Sequence, residues 1–184
     1  MRNFAKTASA LTLCFGLIGC ASQKAAAPER PAPPTLRAWD TFEPDSEETR
    51  AYIGGQPSVE ALEAFRASGG TVVINMRTDG EMARLPYYGT TVEGLGLEYV
   101  HVPTSGSEMG ASQHELVSAA LDGAEGPVLL HCGSGTRAVY MWAGHRAAVG
   151  DWSAGEAKSW CSMRRDGDAW EGGELAIDRI VAGE

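Results

Sequence analysis

The residues of this chain best suited to chemistry are Cys132 and Arg137, in the run His131-Cys132-Gly133-Ser134-Gly135-Thr136-Arg137, with four residues between them. Gly133 and Gly135 let the backbone turn without side-chain clashes, so successive N–H groups can converge on one point. A helix starting at about Arg137 would add its positive end there. Thiols among such donors and a guanidinium are held as thiolates. A thiolate facing a bound oxyanion can attack it and carry the transferred group covalently. Gly133, Ser134, Gly135, Thr136 and Arg137 are therefore the expected anion cradle, with Cys132 as its nucleophile. His131 is expected to order the loop by hydrogen bonding, and Ser134 to help the sulfur depart.

Such a loop needs a strand before it and a helix after it. Pro127 opens the apolar run Val128-Leu129-Leu130, which reads as a short buried strand, and a helical pattern follows to about residue 149. Residues 71–76 are β-branched and apolar and read as a buried parallel strand. Arg77 and Asp79 then fall at its carboxyl end, where open α/β sheets hold their ligands. Residues 97–102 form another strand, and 38–42 and 52–53 short edge strands around an acidic turn at 43–48. Helices are expected over 58–67 with Ser58 as cap, near 91–95, over 112–121 with Ser112 as cap, over 153–163, and through 177–181. Val139, Met141, Trp142 and Ala148 are the expected core contacts of the helix after the loop. His101 reads as a surface or satisfied core residue, and His114 and His145 as helix-surface residues. Alternation of strand and helix implies an α/β fold: a mainly parallel sheet with helices on both faces.

The loop, between strand and helix, resembles the signature of cysteine-dependent phosphatases of the protein-tyrosine-phosphatase type. Those commonly place five residues between cysteine and arginine; four is the spacing familiar from rhodanese-type sulfurtransferases. Further stretches narrow the likeness: Ile53-Gly-Gly-Gln-Pro-Ser58, then Thr71-Val-Val-Ile-Asn-Met-Arg77-Thr-Asp79-Gly-Glu81, then Tyr99-Val-His-Val-Pro103. In this order they are similar to the phosphatase-like domains of the beta-lactamase-hydrolase-like group, over about residues 50–150. The resemblance implies a three-layer fold of the protein-tyrosine and dual-specificity phosphatase kind. It also implies phosphoester hydrolysis through a phosphocysteine on Cys132, with no cofactor and no metal.

In the tyrosine-phosphatase pattern a carboxylic acid on a neighbouring loop protonates the leaving oxygen, worth typically 10²–10⁴-fold in rate. The pattern uses an aspartate, and the loop after Pro103 contains none, only Glu108; Asp79 is the other candidate, and the absence of any acid is the third reading. Arg77 either approaches the anion or pairs with Asp79 or Glu81. Two alternatives to phosphate chemistry stay open: sulfur transfer through a Cys132 persulfide, and a catalytically silent module that binds an anion or partner. A Cys132–Cys161 disulfide is a further possibility in an oxidising compartment.

The first 19 residues read as an export signal, with Arg2 and Lys6 ahead of an apolar stretch, and Leu17-Ile-Gly-Cys20 has the form of a bacterial lipobox. Cys20 would be lipidated. Residues 20–37 would then be an Ala/Pro-rich tether and 38–184 the phosphatase-like domain. Ala21 after that cysteine points to the outer membrane, facing the periplasm. The formal net charge is −9, and removing Arg2 and Lys6 makes the remainder more acidic. Nucleic acid is therefore excluded as a partner, and membrane contact runs through the lipid on Cys20. A phosphorylated small molecule or phosphoprotein is the expected substrate, attracted locally by Arg137.

Overall fold

The computed structural model describes residues 51–165 and 167–184, together with the backbone of a two-residue strand, β1 (Glu43–Pro44). The signal, Cys20, the tether and the expected strand at 38–42 lie outside the described residues. β1 falls inside the stretch expected to be an acidic turn, and it pairs antiparallel with β2 (Ala51–Gly54). The other strands are β3 (Val72–Asn75), β4 (Glu98–His101) and β5 (Val128–His131). The sheet order is β1-β2-β5-β3-β4, and the last four strands run parallel.

Side chains alternate across each strand, which divides the apolar residues between two faces. Ile53, Val72, Ile74, Val128 and Leu130 face a core shared with α4 (Ala111–Gly123), α5 (Thr136–Ala148), α6 (Ala154–Met163) and α7 (Glu171–Ala182). Tyr52, Val73 and Leu129 face the opposite core, covered by α1 (Val59–Ala67) and α3 (Tyr88–Gly94). The result is the expected three-layer α/β arrangement, with helices on both faces.

Local chemistry sets the helix starts. Ser58 caps α1 by accepting the Ala61 N–H, and Ser153 forms a reciprocal capping box with Glu156 at α6. The short α2 (Asp79–Met82) has the same device in Thr78 and Glu81 and was not expected from the sequence. α3 begins earlier than the expected 91–95, at Tyr88. α4 starts at Ala111 with Gly110 in the cap position rather than Ser112. Two further expectations for the helices fail. Ala148 is exposed, because α5 reaches solvent in its last turn, and His145 is buried and hydrogen-bonded to His114 at 3.2 Å. His101 fits its reading as a satisfied residue, since its Nε2–H donates to the Arg77 carbonyl at 2.7 Å.

Register decides where the site lies. Gly54 and Asn75 both align with His131, and Asn75 with His101, so four parallel strands end in one row. The chain leaves that row through residues 55–58, 76–78, 102–110 and 132–135. β5 sits in the middle, between β2 and β3, so its loop has neighbours on both sides.

Candidate active site at the carboxyl edge of the sheet

Cys132 follows the last residue of β5, fully buried, and its Sγ accepts the Gly135 N–H at 3.2 Å. Gly135 is in the left-handed region at φ 93°, the position from which α5 starts. A Cβ there would lie 3.2 Å from the Gly54 carbonyl carbon and 3.3 Å from the Gly55 nitrogen. Glycine is thus required twice, for the turn and for the approach of β2. The same wall is tied further by the Gln56 N–H, which donates to the Gly133 carbonyl at 2.9 Å. Ser134 is exposed and donates to Thr136 Oγ1 at 3.3 Å, and Arg165 donates to the same oxygen at 2.8 Å.

Arg137, in the first turn of α5, reaches across to the ends of β3 and β4. Its Nη1 donates to the carbonyls of Met76 at 3.2 Å and Thr104 at 2.6 Å, and its Nη2 donates to Glu81 Oε1 at 2.8 Å. The Nε–H and the second Nη2–H are left over from these contacts. Burial opposes the charge of Arg137, but the Glu81 hydrogen bond and the neighbouring Cys132 sulfur outweigh it and raise the guanidinium pKa. For Glu81 the Arg137 hydrogen bond is the largest influence, and with the Thr78 contacts it overcomes desolvation and lowers the carboxyl to about 2. The Thr78 N–H and hydroxyl both donate to Glu81 Oε2, at 2.9 and 3.1 Å. Glu81 is thus an ionised strut between the capping box of α2 and the arginine.

Beneath the loop His131 is fully buried, and burial lowers its pKa to about 3, so it is neutral. Its Nδ1–H donates to the Cys132 carbonyl at 3.2 Å, which leaves Nε2 to accept the Tyr88 hydroxyl at 2.9 Å. Burial raises the Tyr88 pKa, so the phenol keeps its proton. Asn75 Oδ1 accepts the Arg77 N–H at 2.9 Å, while its Nδ2 donates to Tyr99 Oη, also at 2.9 Å. Arg77 donates through Nη1 to Gln56 Oε1 at 3.0 Å and lies 3.9 Å from Glu81 through Nε. Of the two expectations for Arg77, the pairing with Glu81 is the one the geometry shows.

Six expected residues, Cys132 to Arg137 in sequence, converge here with His131 and Arg77. The two expected acids do not join them. Asp79 is largely exposed, 4.0 Å from His101, and Glu108 is exposed and accepts the Ser105 hydroxyl at 2.6 Å. Cys132 and Cys161 are both free and buried, so the disulfide considered above is absent. The Cys161 Sγ points to the Val139 carbonyl at 3.9 Å, and burial is the main reason its thiol rises to about 12. Glu81, Gln56 and Tyr88 were missed. The Thr-x-x-Glu spacing at residues 78–81 was the available signal for Glu81; Gln56 lay inside a quoted motif without a role, and Tyr88 had no local signal.

The family model described as "Beta-lactamase hydrolase-like protein, phosphatase-like domain" matches residues 51–149. A beta-lactamase hydrolase-like protein of Xylella fastidiosa is 35% identical over 99 residues, which cover 51% of this chain and 22% of that protein. The chain therefore matches only about a fifth of that relative's length. Among solved structures, a DUF442 protein from Shewanella putrefaciens CN-32 superposes with a TM-score of 0.66 at 20% identity, covering 80% of this chain and 95% of the other. TpbA of P. aeruginosa, solved in complex with pTyr, gives 0.55 at 16% identity over 80% and 97%. These two likenesses are of fold. By the matched region, and with this cysteine loop at the end of its central strand, the chain belongs to the phosphatase-like domain family of the beta-lactamase hydrolase-like proteins.

Proposed function

We propose that this domain hydrolyses a phosphomonoester in two steps, through a phosphocysteine on Cys132. The observation that carries the reading is the position of Cys132 under an N–H-lined loop, beside a charged arginine whose geometry is fixed by Glu81 and two carbonyls. In the first step the Cys132 thiolate attacks phosphorus, the P–O bond to the leaving group breaks, and the alkoxide or phenoxide takes a proton from solvent or an acid. In the second, water attacks phosphorus, the P–S bond breaks, and inorganic phosphate leaves with the thiolate restored. Loop N–H groups and the Arg137 donors on the Cys132 side carry the charge of the equatorial oxygens. His131 holds the Cys132 carbonyl and so orients the loop.

Asp79 and Glu108 have no contact with Cys132 or Arg137 among the described residues, which favours leaving groups that depart with little protonation, such as phenols. Full burial of Cys132, together with the four-residue spacing, supports a second reading in which the loop carries a persulfide instead. The lipid anchor on Cys20 and an outer-membrane location remain part of the proposal, tested by metabolic labelling with a fatty-acid probe and its loss in Cys20→Ala.

Turnover separates the readings. Under reducing conditions the protein is given an aryl phosphate and, in parallel, thiosulfate with cyanide, with Cys132→Ser as control. Phosphate release that depends on Cys132 is the expected result. Thiocyanate alone would establish sulfur transfer, and inactivity on both with retained anion binding would leave a binding module.

A further inference from the structure

The cysteine loop is pinned at both of its ends. At the start the Gln56 N–H holds the Gly133 carbonyl at 2.9 Å. At the other end Arg165, from the connection between α6 and α7, donates through Nη1 to Thr136 Oγ1 at 2.8 Å, and Ser134 donates to the same oxygen at 3.3 Å. A hydroxyl oxygen has two acceptor positions, so both are taken. The proton of Ser134 is thereby tied to the end of the loop.

Arg165 is itself held in place. Its Nε–H donates to the Asp168 carbonyl at 3.0 Å, its Nη2 to Asp168 Oδ2 at 3.0 Å, and the Asp168 N–H returns a bond to the Arg165 carbonyl at 2.9 Å. Two residues further on, the Trp170 N–H donates to the Tyr140 hydroxyl at 2.8 Å, and the two rings meet edge to face at 5.4 Å. The Trp170 ring also closes on the β4–α4 loop, where a Cβ on Gly106 would fall 2.8 Å from it. The planar guanidinium is therefore aimed at Thr136 before any ligand arrives.

Thr136 is the first residue of α5, between Gly135 and Arg137. N–H groups in this first turn have no acceptor within the helix, and that of Gly135 points at Cys132 Sγ, 3.2 Å away. Fixing the Thr136 side chain fixes the backbone that carries both the Gly135 N–H and the base of Arg137. Arg165 lies beyond residues 51–149, the part that matches the family model, so this second pin comes from the C-terminal helices.

We infer that Arg165 is a positioning residue for phosphoryl transfer: through Thr136 Oγ1 it sets the helix end of the anion loop in its reactive shape. This role rests on the phosphatase reading of the loop.

The test measures kcat and KM of the full chain on an aryl phosphate under reducing conditions, for the wild type, Arg165→Met, Thr136→Val and the double variant. Arg165→Met removes the donor and Thr136→Val the acceptor, and each is expected to lower kcat about tenfold with KM changed less than about threefold. The double variant should lose no more than either single one, because all three break the same bond. Thr136→Ser, which keeps the hydroxyl, should regain most of what Thr136→Val loses. Asp168→Asn should stay within about twofold, since its carboxylate is 78% exposed and such an ion pair contributes little. Circular dichroism reports that each variant is folded, and Arg165→Lys, which keeps the charge and one donor, takes the place of Arg165→Met in the cycle if that variant does not fold. Losses that multiply in the double variant, full activity in Arg165→Met, or a loss in Asp168→Asn as large as that in Arg165→Met overturns the inference and leaves the loop reading in place. A wild type that releases no phosphate overturns the loop reading, and this role with it.

Discussion

The loop after β5 and the loop after β4 leave the same row of strand ends, yet they are built differently. Around Cys132 the partners come from distant parts of the chain: Gln56 holds Gly133, Met76 donates its N–H to the His131 carbonyl, and Glu81 holds Arg137. In the loop after β4 the backbone is held by Arg137 at Thr104 and by Arg179 at Ser107 and Met109, but the side chains at its tip bond only to one another, Ser105 to Ser107 and to Glu108, on an exposed surface. Exposed side chains bonded only to one another can rearrange at little cost to the fold, whereas a loop cross-linked to three strands is fixed when folding ends. The difference assigns preorganised charge stabilisation to the β5 loop and only an adjustable, secondary part to the β4 loop.

Variants sharpen or break that contrast. Cys132→Ser should lower turnover of an aryl phosphate about a thousandfold or more, with the fold retained by circular dichroism. Arg137→Lys should cost about a hundredfold in kcat/KM, since an ammonium cannot span Met76, Thr104 and Glu81 together. Glu81→Gln keeps the shape but removes the charge, and about a tenfold loss is expected, mostly in kcat. Asp79→Asn and Glu108→Gln should each stay within about threefold on aryl phosphates. A loss of a hundredfold at Glu108 would show that the β4 loop closes on the substrate as an acid, and the contrast would fail.

Acid stability gives a second handle. Glu81 has its carboxyl lowered from 4.5 to about 2, so its contribution is complete above the unfolded value and is lost as pH falls from there through about 2. His131 and His145 are lowered from 6.5 to about 3 and about 4, chiefly by burial. The unfolded chain therefore takes up protons below pH 6.5 that the native chain refuses. Urea midpoints should fall from pH 6.5 towards pH 4, each histidine contributing a slope of about 1.4 kcal/mol per pH unit. His145→Gln should remove its share of that slope without touching turnover.

Much of this arrangement was legible in the sequence because the signals were local. The apolar runs at 71–76 and 128–130, the glycines after Cys132 and the cap at Ser58 each act within a few residues. What escaped depends on distant partners. His145 looked like a surface residue because nothing in its own helix shows that His114 covers it, and Glu81 looked like one of several carboxylates near Arg77. Its pairing with Arg137 is set by the parallel register of β3 and β5, which brings Asn75 level with His131. α3 begins earlier than its sequence suggests because its cap position, Tyr87, makes no side-chain capping bond, so nothing local marks the start.

The most direct measurement is a rapid-quench reaction with an aryl phosphate under reducing conditions, followed by mass spectrometry of the peptide carrying Cys132. A phosphoryl group on the Cys132 sulfur, formed and lost at rates matching turnover and absent from Cys132→Ser, is the predicted result. Phosphate release without any phosphorylated cysteine, or a sulfane sulfur there after thiosulfate with no reaction on phosphate esters, would contradict it.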